Sequence, residues 1–192
     1  MSNPLAIATV TATLRHLLTQ VTADLPDATV TARAPQKARR GDDLSNQLNV
    51  FLYQTAPNAA WQGKQSQRLS QNSGAVGLSP LALNLYYFVT AYGRDDDDIQ
   101  SHRLLGQAMS ILHRHTVLES EEIKAALPGN TLYQQVEPIR IVPEALTPEE
   151  FTRLWSMFQA PYAISAAYQV SVILIECPEP APLKISCFPQ TD

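Results

Sequence analysis

The sequence has 192 residues, a length that suits one domain with a sizeable hydrophobic core. Its formal net charge of −4 argues against nucleic acid or an anionic membrane as the main partner, because both require clustered Lys and Arg. No apolar run reaches the roughly 18 residues that span a membrane, and the N-terminus lacks the basic start of a secretory signal. We therefore expect a protein made in the cytoplasm. Two cysteines in such a chain are more often reduced than joined in a disulfide, so we expect Cys177 and Cys187 to be reduced.

The first half of the chain predicts one helix and three strands. Apolar residues recur at spacings of three and four from Ile7 to Val21, which predicts a helix with Pro4 at its first position. Residues 47–54 alternate, and residues 81–92 are apolar or aromatic on both faces, as in a central strand. The predicted strands are therefore 29–34, 47–54 and 81–92, separated by polar loops at 36–46 and 55–80.

The second half predicts three helices and two strands. A helix follows Gly93 over about 95–115, and a shorter one covers 120–127. A strand at 134–142 contains Pro138, which marks it as an edge or bulged strand. Thr147 and Glu150 form a capping box for a third helix, and a long strand covers 163–176.

Three sets of side chains in this half are predicted to be buried. The helix over 95–115 has the stripe Ile99, Leu104, Leu105, Ala108, Met109, Ile111 and Leu112. The third helix has the face Phe151, Leu154, Trp155 and Phe158. The last strand has the inner side Ile164, Ala166, Tyr168, Val170, Val172 and Leu174.

This element order predicts an α/β (α+β) fold, a mixed β-sheet packed against about three helices, since each helix has one apolar stripe to bury. Residues 1–177 are predicted to form a single domain. Pro178, Pro180 and Pro182 then form a stiff linker. The linker leads to a short apolar run, so that residues 178–192 are a C-terminal arm.

The run Asp95–Asp98 resembles a metal site, but it opens a predicted helix. At a helix start, carboxylates accept hydrogen bonds from unpaired backbone N–H groups and lie at the positive end of the helix dipole. His113 and His115 close that helix about 25–30 Å away, too far to share a metal. His102 is within reach of Asp98, a pair that is more often a helix contact than a base. We expect no metal, no cofactor and no enzyme activity; a small metal-dependent hydrolase is the alternative.

Two further features allow more than one interpretation. Trp61 begins the polar loop and either folds back over the sheet or anchors a subunit contact, where Trp is enriched. The only basic cluster, Lys37, Arg39 and Arg40, is too small for a nucleic-acid site. Tyr86, Tyr87 and Trp155 are expected in the core.

Several segments together resemble one known family. They are the segments 46–54, Pro57 to Trp61, 80–87, 90–93, His102 to Gly106, Ala108-Met109, 146–150 and the helix of Trp155. Over roughly residues 4–176 the chain resembles the N-terminal domain of the cap protein of extracellular contractile injection systems, of the Photorhabdus virulence cassette and antifeeding-prophage type. It departs from that pattern in the Gln/Ser-rich segment 62–78.

The resemblance implies a phage tail-terminator-like fold and a structural role. Such a cap forms a homohexameric ring at the distal end of the inner tube, stops tube growth and terminates the sheath, within a particle that is retained or released. Another adaptor of the machine, such as a baseplate component, is the structural alternative. The loops 36–46 and 55–79 would meet the tube or line the pore, and residues 183–188 would add a strand to a neighbour. The expected interaction residues are Lys37, Arg39, Arg40, Trp61, Gln62, Lys64, Arg68, Leu183, Ile185 and Phe188.

Overall fold

The computed structural model describes residues 4–21, 25, 27–39, 45–61 and 80–175. Within these ranges no helix is long and apolar enough to cross a membrane. The main helices of the described ranges are α1 (Ala6–Leu18), α2 (Asp98–Arg114), α3 (Ser120–Ala126) and α4 (Pro148–Met157). The strands are β1 (Thr29–Thr31), β2 (Gln47–Pro57), β3 (Leu81–Tyr92), β4 (Arg140–Glu144) and β5 (Ser165–Ile175).

The five strands form one mixed sheet in the order β1-β2-β3-β5-β4. Strand β1 runs parallel to β2, and the other neighbouring pairs are antiparallel. Strand β3 lies at the centre, as its apolar side chains on both faces predict. The predicted fold class is therefore confirmed, and β4 is an edge strand as Pro138 indicated for this region.

Helices α1 and α2 cover one face of the sheet, and α3 packs against α1; all three contribute to the main core. The sheet contributes one side of each strand to this core, including Leu85, Tyr87 and Val170, all fully or almost fully buried. Helix α1 is rich in threonine, and two of its threonines face the core. Their hydroxyls donate to carbonyls one turn back, Thr9 to Leu5 at 2.9 Å and Thr13 to Thr9 at 2.8 Å. The buried hydroxyls thus have partners, which removes the cost of burying them.

Helix α4 packs on the opposite face through aromatic rings. Phe88 of β3 stacks on Tyr53 at 4.5 Å between ring centroids and on Phe151 at 5.5 Å, and Trp155 is 3% exposed beside it. Thr147 and Glu150 form the predicted capping box at the start of α4. Helices on both faces make the fold a three-layer arrangement with β3 buried on both sides.

Several predicted boundaries are wrong by a few residues. Strand β1 ends at Thr31 and β2 continues to Pro57, so the second polar loop begins later than residue 55. Residues 132–134 form a 3-10 turn, and β4 covers Arg140–Glu144 instead of 134–142. Helix α2 starts at Asp98, because Asp95 and Asp96 have φ of 53° and 60° and cannot belong to an α-helix.

The predicted buried stripe of α2 is wrong at two positions. Ile99 is 69% exposed and Met109 is 44% exposed, whereas Ser101 is buried. The face that packs on the sheet follows Ser101 through Leu104, Ala108 and their neighbours, and Ile99 and Met109 fall outside it. The buried Ser101 hydroxyl accepts the N–H of Gly93 at 2.8 Å, so a polar residue occupies a core position that the apolar pattern could not indicate.

The predicted inner side of β5 holds for its first half only. Tyr168 and Val170 face the main core, but Ile173 is fully buried there, and Val172 and Leu174 are not among the core residues. The register against β3 shifts between the pairs Leu85–Val170 and Leu83–Ile173, so β5 carries one extra residue. This bulge moves the alternation by one position, which a strict period of two cannot anticipate.

Candidate functional site

The acidic run lies at the turn from β3 into α2 and has structural partners. Asp97 is the N-cap of α2, and its carboxylate accepts the N–H of Ile99 at 2.8 Å and that of Gln100 at 3.4 Å. Asp95 and Asp96 adopt the left-handed conformation, which Asp tolerates better than most residues. The predicted capping role of the run is therefore confirmed at Asp97.

Arg39 connects this turn to the first polar loop. Its guanidinium donates to the Gly93 carbonyl at 2.6 Å, pairs with Asp96 and lies 5.6 Å from the centre of the Tyr92 ring. The Arg39 side chain is 19% exposed. A residue expected to meet a partner is therefore engaged within the chain, and its contact with a partner stays a prediction. Lys37 is exposed beside it in a 3-10 turn.

Three amide side chains of the segment 46–49 fix the same end of the sheet. Asn46 accepts the N–H of Arg94 at 2.9 Å, and Gln47 donates to the Ala38 carbonyl at 2.8 Å. Asn49 bonds the backbone N–H and carbonyl of Arg33 at 3.0 and 2.9 Å. Sequence reasoning missed this network. Its signal was the group of three amides at and just before the start of β2, since buried amides require partners.

A groove of about 730 Å³ lies over this region, lined among others by Arg39, Tyr92, Asp98, His102 and Tyr162. Asp98 and His102 thus border the same space, but no hydrogen bond joins them among the described residues. The part of the chain that the structure describes contains no group of three His, Cys, Asp or Glu side chains able to hold a metal ion. The metal-dependent hydrolase alternative therefore gains no ligand set from this geometry.

His115, at the end of α2, has an acidic partner in α3. It is the C-cap residue of α2, and its Nδ1 lies 2.8 Å from a carboxylate oxygen of Glu122 in α3. Glu122 also accepts the N–H of Glu119 at 3.0 Å within the capping box of α3. The basic end of α2 therefore holds α3 in place, in addition to any favourable interaction with the helix dipole.

Trp61 is half-buried at the end of a short segment tied to the sheet. Its backbone N–H donates to the Asn58 side chain at 2.9 Å, and Asn58 donates to Asn84 of β3 at 2.8 Å. The buried indole Nε1 has no hydrogen-bond partner within the described ranges. These contacts agree with the interpretation that Trp61 folds back over the sheet. A role at a subunit contact stays a prediction.

The remaining expected interaction residues lie outside the described residues. They are Arg40, Gln62, Lys64, Arg68, Leu183, Ile185 and Phe188, together with Cys177, Cys187 and the prolines of the arm. Tyr86 is half-buried, whereas Tyr87 and Trp155 are in the interior as expected.

The two edges of the sheet differ in their capacity to accept another strand. On the outer side of β4, the Ile141 N–H already donates to the Thr116 carbonyl at 2.8 Å, and Pro143 has no N–H to offer. Strand β1 has only β2 as a neighbour among the described strands. Among the described strands, β1 is therefore the edge strand whose outer side has no neighbouring strand, whereas the outer side of β4 offers few main-chain groups.

Comparison with known proteins identifies the same fold in two solved assemblies. One is the sheath/tube terminator of an extracellular contractile injection system, PVC, in its extended state, with a TM-score of 0.56 and 16% identity. The other is the tube-terminating cap of the anti-feeding prophage, with a TM-score of 0.58 and 12% identity. The matches cover 100% and 95% of this chain but 65% and 60% of those chains.

The family model described as the Pvc16 N-terminal domain matches residues 9–184, which is most of the chain. No curated protein is significantly similar to the sequence. The matched region contains every strand of the sheet and all four main helices apart from the first residues of α1. The chain therefore belongs to the Pvc16 N-terminal domain family.

Proposed function

We propose that this protein is a structural cap of a phage-tail-like contractile injection system. The observation that carries the proposal is the family match over residues 9–184, joined to a fold shared with a sheath/tube terminator and a tube-terminating cap. Its partners are the inner tube protein, the sheath protein and further copies of itself. The protein is then assembled into the injection particle and contributes surfaces, with no catalytic step.

A cap that ends a tube has to form a closed ring. Each copy contacts the next through two different patches, and the rotation between copies closes after a fixed number, here six. One side of the ring fits the end of the tube, and the other offers nothing to a further layer. Polymerisation therefore stops because no complementary surface remains.

The polar loops predicted at 36–46 and 55–79, the second of which begins only after β2 ends at Pro57, are the proposed contacts with the tube or the pore. The observation that supports this proposal is the rigid base of the first loop, where hydrogen bonds of Arg39 and Gln47 connect the loop to the sheet. Lys37 is exposed at the same place, and Trp61 leads into the second loop. A rigid base limits the entropy that such a loop loses when it binds.

The domain boundary at residue 177 and the arm 178–192 form a second part of the proposal. Leu183, Ile185 and Phe188 add a strand to a neighbour, either another cap or a sheath subunit. If the acceptor is another copy of this chain, the edge that can receive the arm is β1, because the outer side of β4 is occupied by Thr116 and blocked by Pro143. A truncation after residue 178 that leaves ring and particle assembly intact would contradict the role of the arm.

The cap function is tested by electron microscopy of particles made without this protein. We expect tubes and sheaths of uncontrolled length, or sheaths that do not persist, and normal particles once the wild-type protein is restored. Antibody labelling of intact particles locates the chain: the cap lies at the sheath end far from the spike, whereas a baseplate adaptor lies beside the spike. Particles of normal length and stability without the protein would refute the proposal.

A further inference from the structure

Strand β5 extends beyond β4 at one end of the sheet. The pairing of the two strands ends where Ser171 faces Arg140, so residues 172–175 have no strand on that side among the described strands. On its other side this part of β5 pairs with the start of β3. Because the backbone groups of successive strand residues point to opposite neighbours, those of Val172 and Leu174 face the side that β4 leaves uncovered.

The sequence of this part of β5 favours pairing with other chains. Residues 170–175 are Val-Ser-Val-Ile-Leu-Ile, a run without charge, proline or glycine and rich in β-branched side chains. Segments of about six residues with this composition stack on identical segments of other molecules when they are exposed at a sheet edge. The partner that an open edge would bind here is therefore a second copy of the same strand.

The side-chain amide of Gln135 lies at this edge. Its Nε2 donates to the Val172 carbonyl at 2.8 Å, and its Oε1 accepts the Leu174 N–H at 2.9 Å. An antiparallel neighbour would offer β5 the same two kinds of group, an N–H donor and a carbonyl acceptor. The amide of this glutamine therefore takes the place of the main chain of a neighbouring strand.

Gln135 is held in position by the turn that precedes β4. Its backbone N–H donates to the carbonyl of buried Leu132 at 3.0 Å, and its Nε2 also donates to the Glu137 carbonyl at 2.8 Å. The Asn130 side chain fixes this turn, since it accepts the Leu132 N–H and donates to the Ile123 carbonyl of α3, both at 3.1 Å. An anchored side chain loses less conformational entropy when it binds β5 than a free one would.

The neighbouring outer side of β4 is covered by a different segment. The Leu118 N–H donates to the Ile139 carbonyl at 2.9 Å, and the Ile141 N–H donates to the Thr116 carbonyl at 2.8 Å. Gln135 covers the part of β5 that lies beyond β4. The two contacts together extend the closure of this edge from β4 onto β5.

We infer that Gln135 closes the β5 edge against strand addition, because it occupies the main-chain groups that a second copy of residues 170–175 would otherwise bind. Two such edges on two copies are identical, so an open edge would pair edge to edge outside any ordered assembly. Natural sheets protect exposed edges against this kind of association. The inference goes beyond the proposed cap function and does not rest on it.

Gln135→Asn tests the inference with the smallest change. Asparagine keeps the amide but is shorter by about 1.5 Å, so the amide no longer reaches hydrogen-bonding distance of β5. We expect the Leu174 amide to exchange with solvent at least about fivefold faster than in the wild type. Hydrogen exchange of the purified chain at low concentration, resolved to single residues by mass spectrometry, gives the rate. The Leu118 and Ile141 amides are expected to keep their wild-type rates, because their partners do not change.

Self-association is the second measurement. With rising concentration, Gln135→Asn and Gln135→Ala are expected to form larger species than the wild type forms at the same concentration, as followed by sedimentation velocity and thioflavin T fluorescence. In these species the Leu174 amide should be protected again, which locates the new contact at this edge. If Gln135→Ala does not fold, as judged by circular dichroism, the shorter amide of Gln135→Asn decides the outcome.

Gln134→Asn is the matched control, since it makes the same change at the next residue. Gln134 is exposed, and its side chain donates to the Tyr133 hydroxyl at 3.1 Å. This variant is expected to equal the wild type in exchange and in association. Equal association of Gln134→Asn and Gln135→Asn would overturn the inference, because the effect would then not depend on the contact with β5.

Three other results would also contradict the role of Gln135. Unchanged exchange at Leu174 would show that the amide does not cover the edge. Faster exchange without any concentration-dependent association would show that the edge does not accept a strand. Exchange that rises equally at Leu118 and Ile141 would reduce Gln135 to a support of the turn. All three are measured on the purified chain, so they are separate from the particle lengths that test the cap function.

Discussion

Substituting alanine for two glycines of this chain is predicted to change stability in opposite directions. Gly93 has an extended backbone, φ −73° and ψ 157°, so its role is not conformational. A Cβ at Gly93 would lie 2.1 Å from the Asp97 carbonyl oxygen and 2.9 Å from the Ser101 nitrogen. Both are backbone atoms of the turn that starts α2, and neither can move without displacing the helix.

The cost follows from this overlap. Relieving it requires a shift of about 1 Å in the turn, and overpacking of this kind typically costs about 1–3 kcal/mol. The shift would also strain the 2.8 Å hydrogen bond from the Gly93 N–H to Ser101 and the 2.6 Å bond from Arg39 to the Gly93 carbonyl. At Gly106 the same methyl group meets nothing, so Gly106→Ala is expected to stabilise the fold by about 0.5–1 kcal/mol.

Thermal unfolding of the two variants, followed by circular dichroism at low protein concentration, gives the result. Each kcal/mol corresponds to about 2–4 °C in Tm at this chain length. Gly93→Ala should therefore unfold several degrees below the wild type, and Gly106→Ala slightly above it. Equal Tm values, or a Gly93→Ala variant as stable as Gly106→Ala, would refute the steric argument.

Three further outcomes are expected. Asp97→Ala removes the N-cap of α2 and should lower the free energy of unfolding by about 1 kcal/mol. Asp98→Ala should lower it by less. If the wild type instead binds a metal ion in stoichiometric amount and both variants lose it, the run is a metal site. Trp155→Ala should cost about 3–5 kcal/mol in chemical denaturation because it opens the aromatic layer under α4, and a loss below 1 kcal/mol would contradict that packing. Hydrogen bonds from Thr147 hold the pKa of Glu150 below its ordinary value of 4.5. Its stabilising contribution is then present above pH 4.5 and is lost as the pH falls through the lowered pKa, so Glu150→Gln should flatten acid unfolding in that range.

Elements that depend only on residues close together in the sequence were predictable from the sequence alone. Strand β3 was predicted at its observed bounds, because an apolar run of that length between two polar segments has few alternatives. The capping box of α4 and the N-cap of α2 were also predictable, since a cap depends on residues three or four positions apart.

Features that depend on distant neighbours were not predictable. The bulge in β5 arises from pairing with β3, and it moved Ile173 into the core in place of Val172. Arg39 appeared to be available for a partner until the turn after β3 placed Gly93 and Asp96 beside it. The pattern of a single strand or loop contains no information about which other segment will contact it.

The sequence alone determined the class of fold and, through resemblance, the family, because periodicity, caps and turn residues are set by short-range geometry. Only the tertiary structure decided which faces remain outside. The helix pattern predicted Ile99 and Met109 as core residues. The sheet instead covers the face of α2 that contains Ser101, so Ile99 and Met109 are exposed. The reason is that a helix can present only one side to the sheet, and the packing of the whole molecule chooses that side.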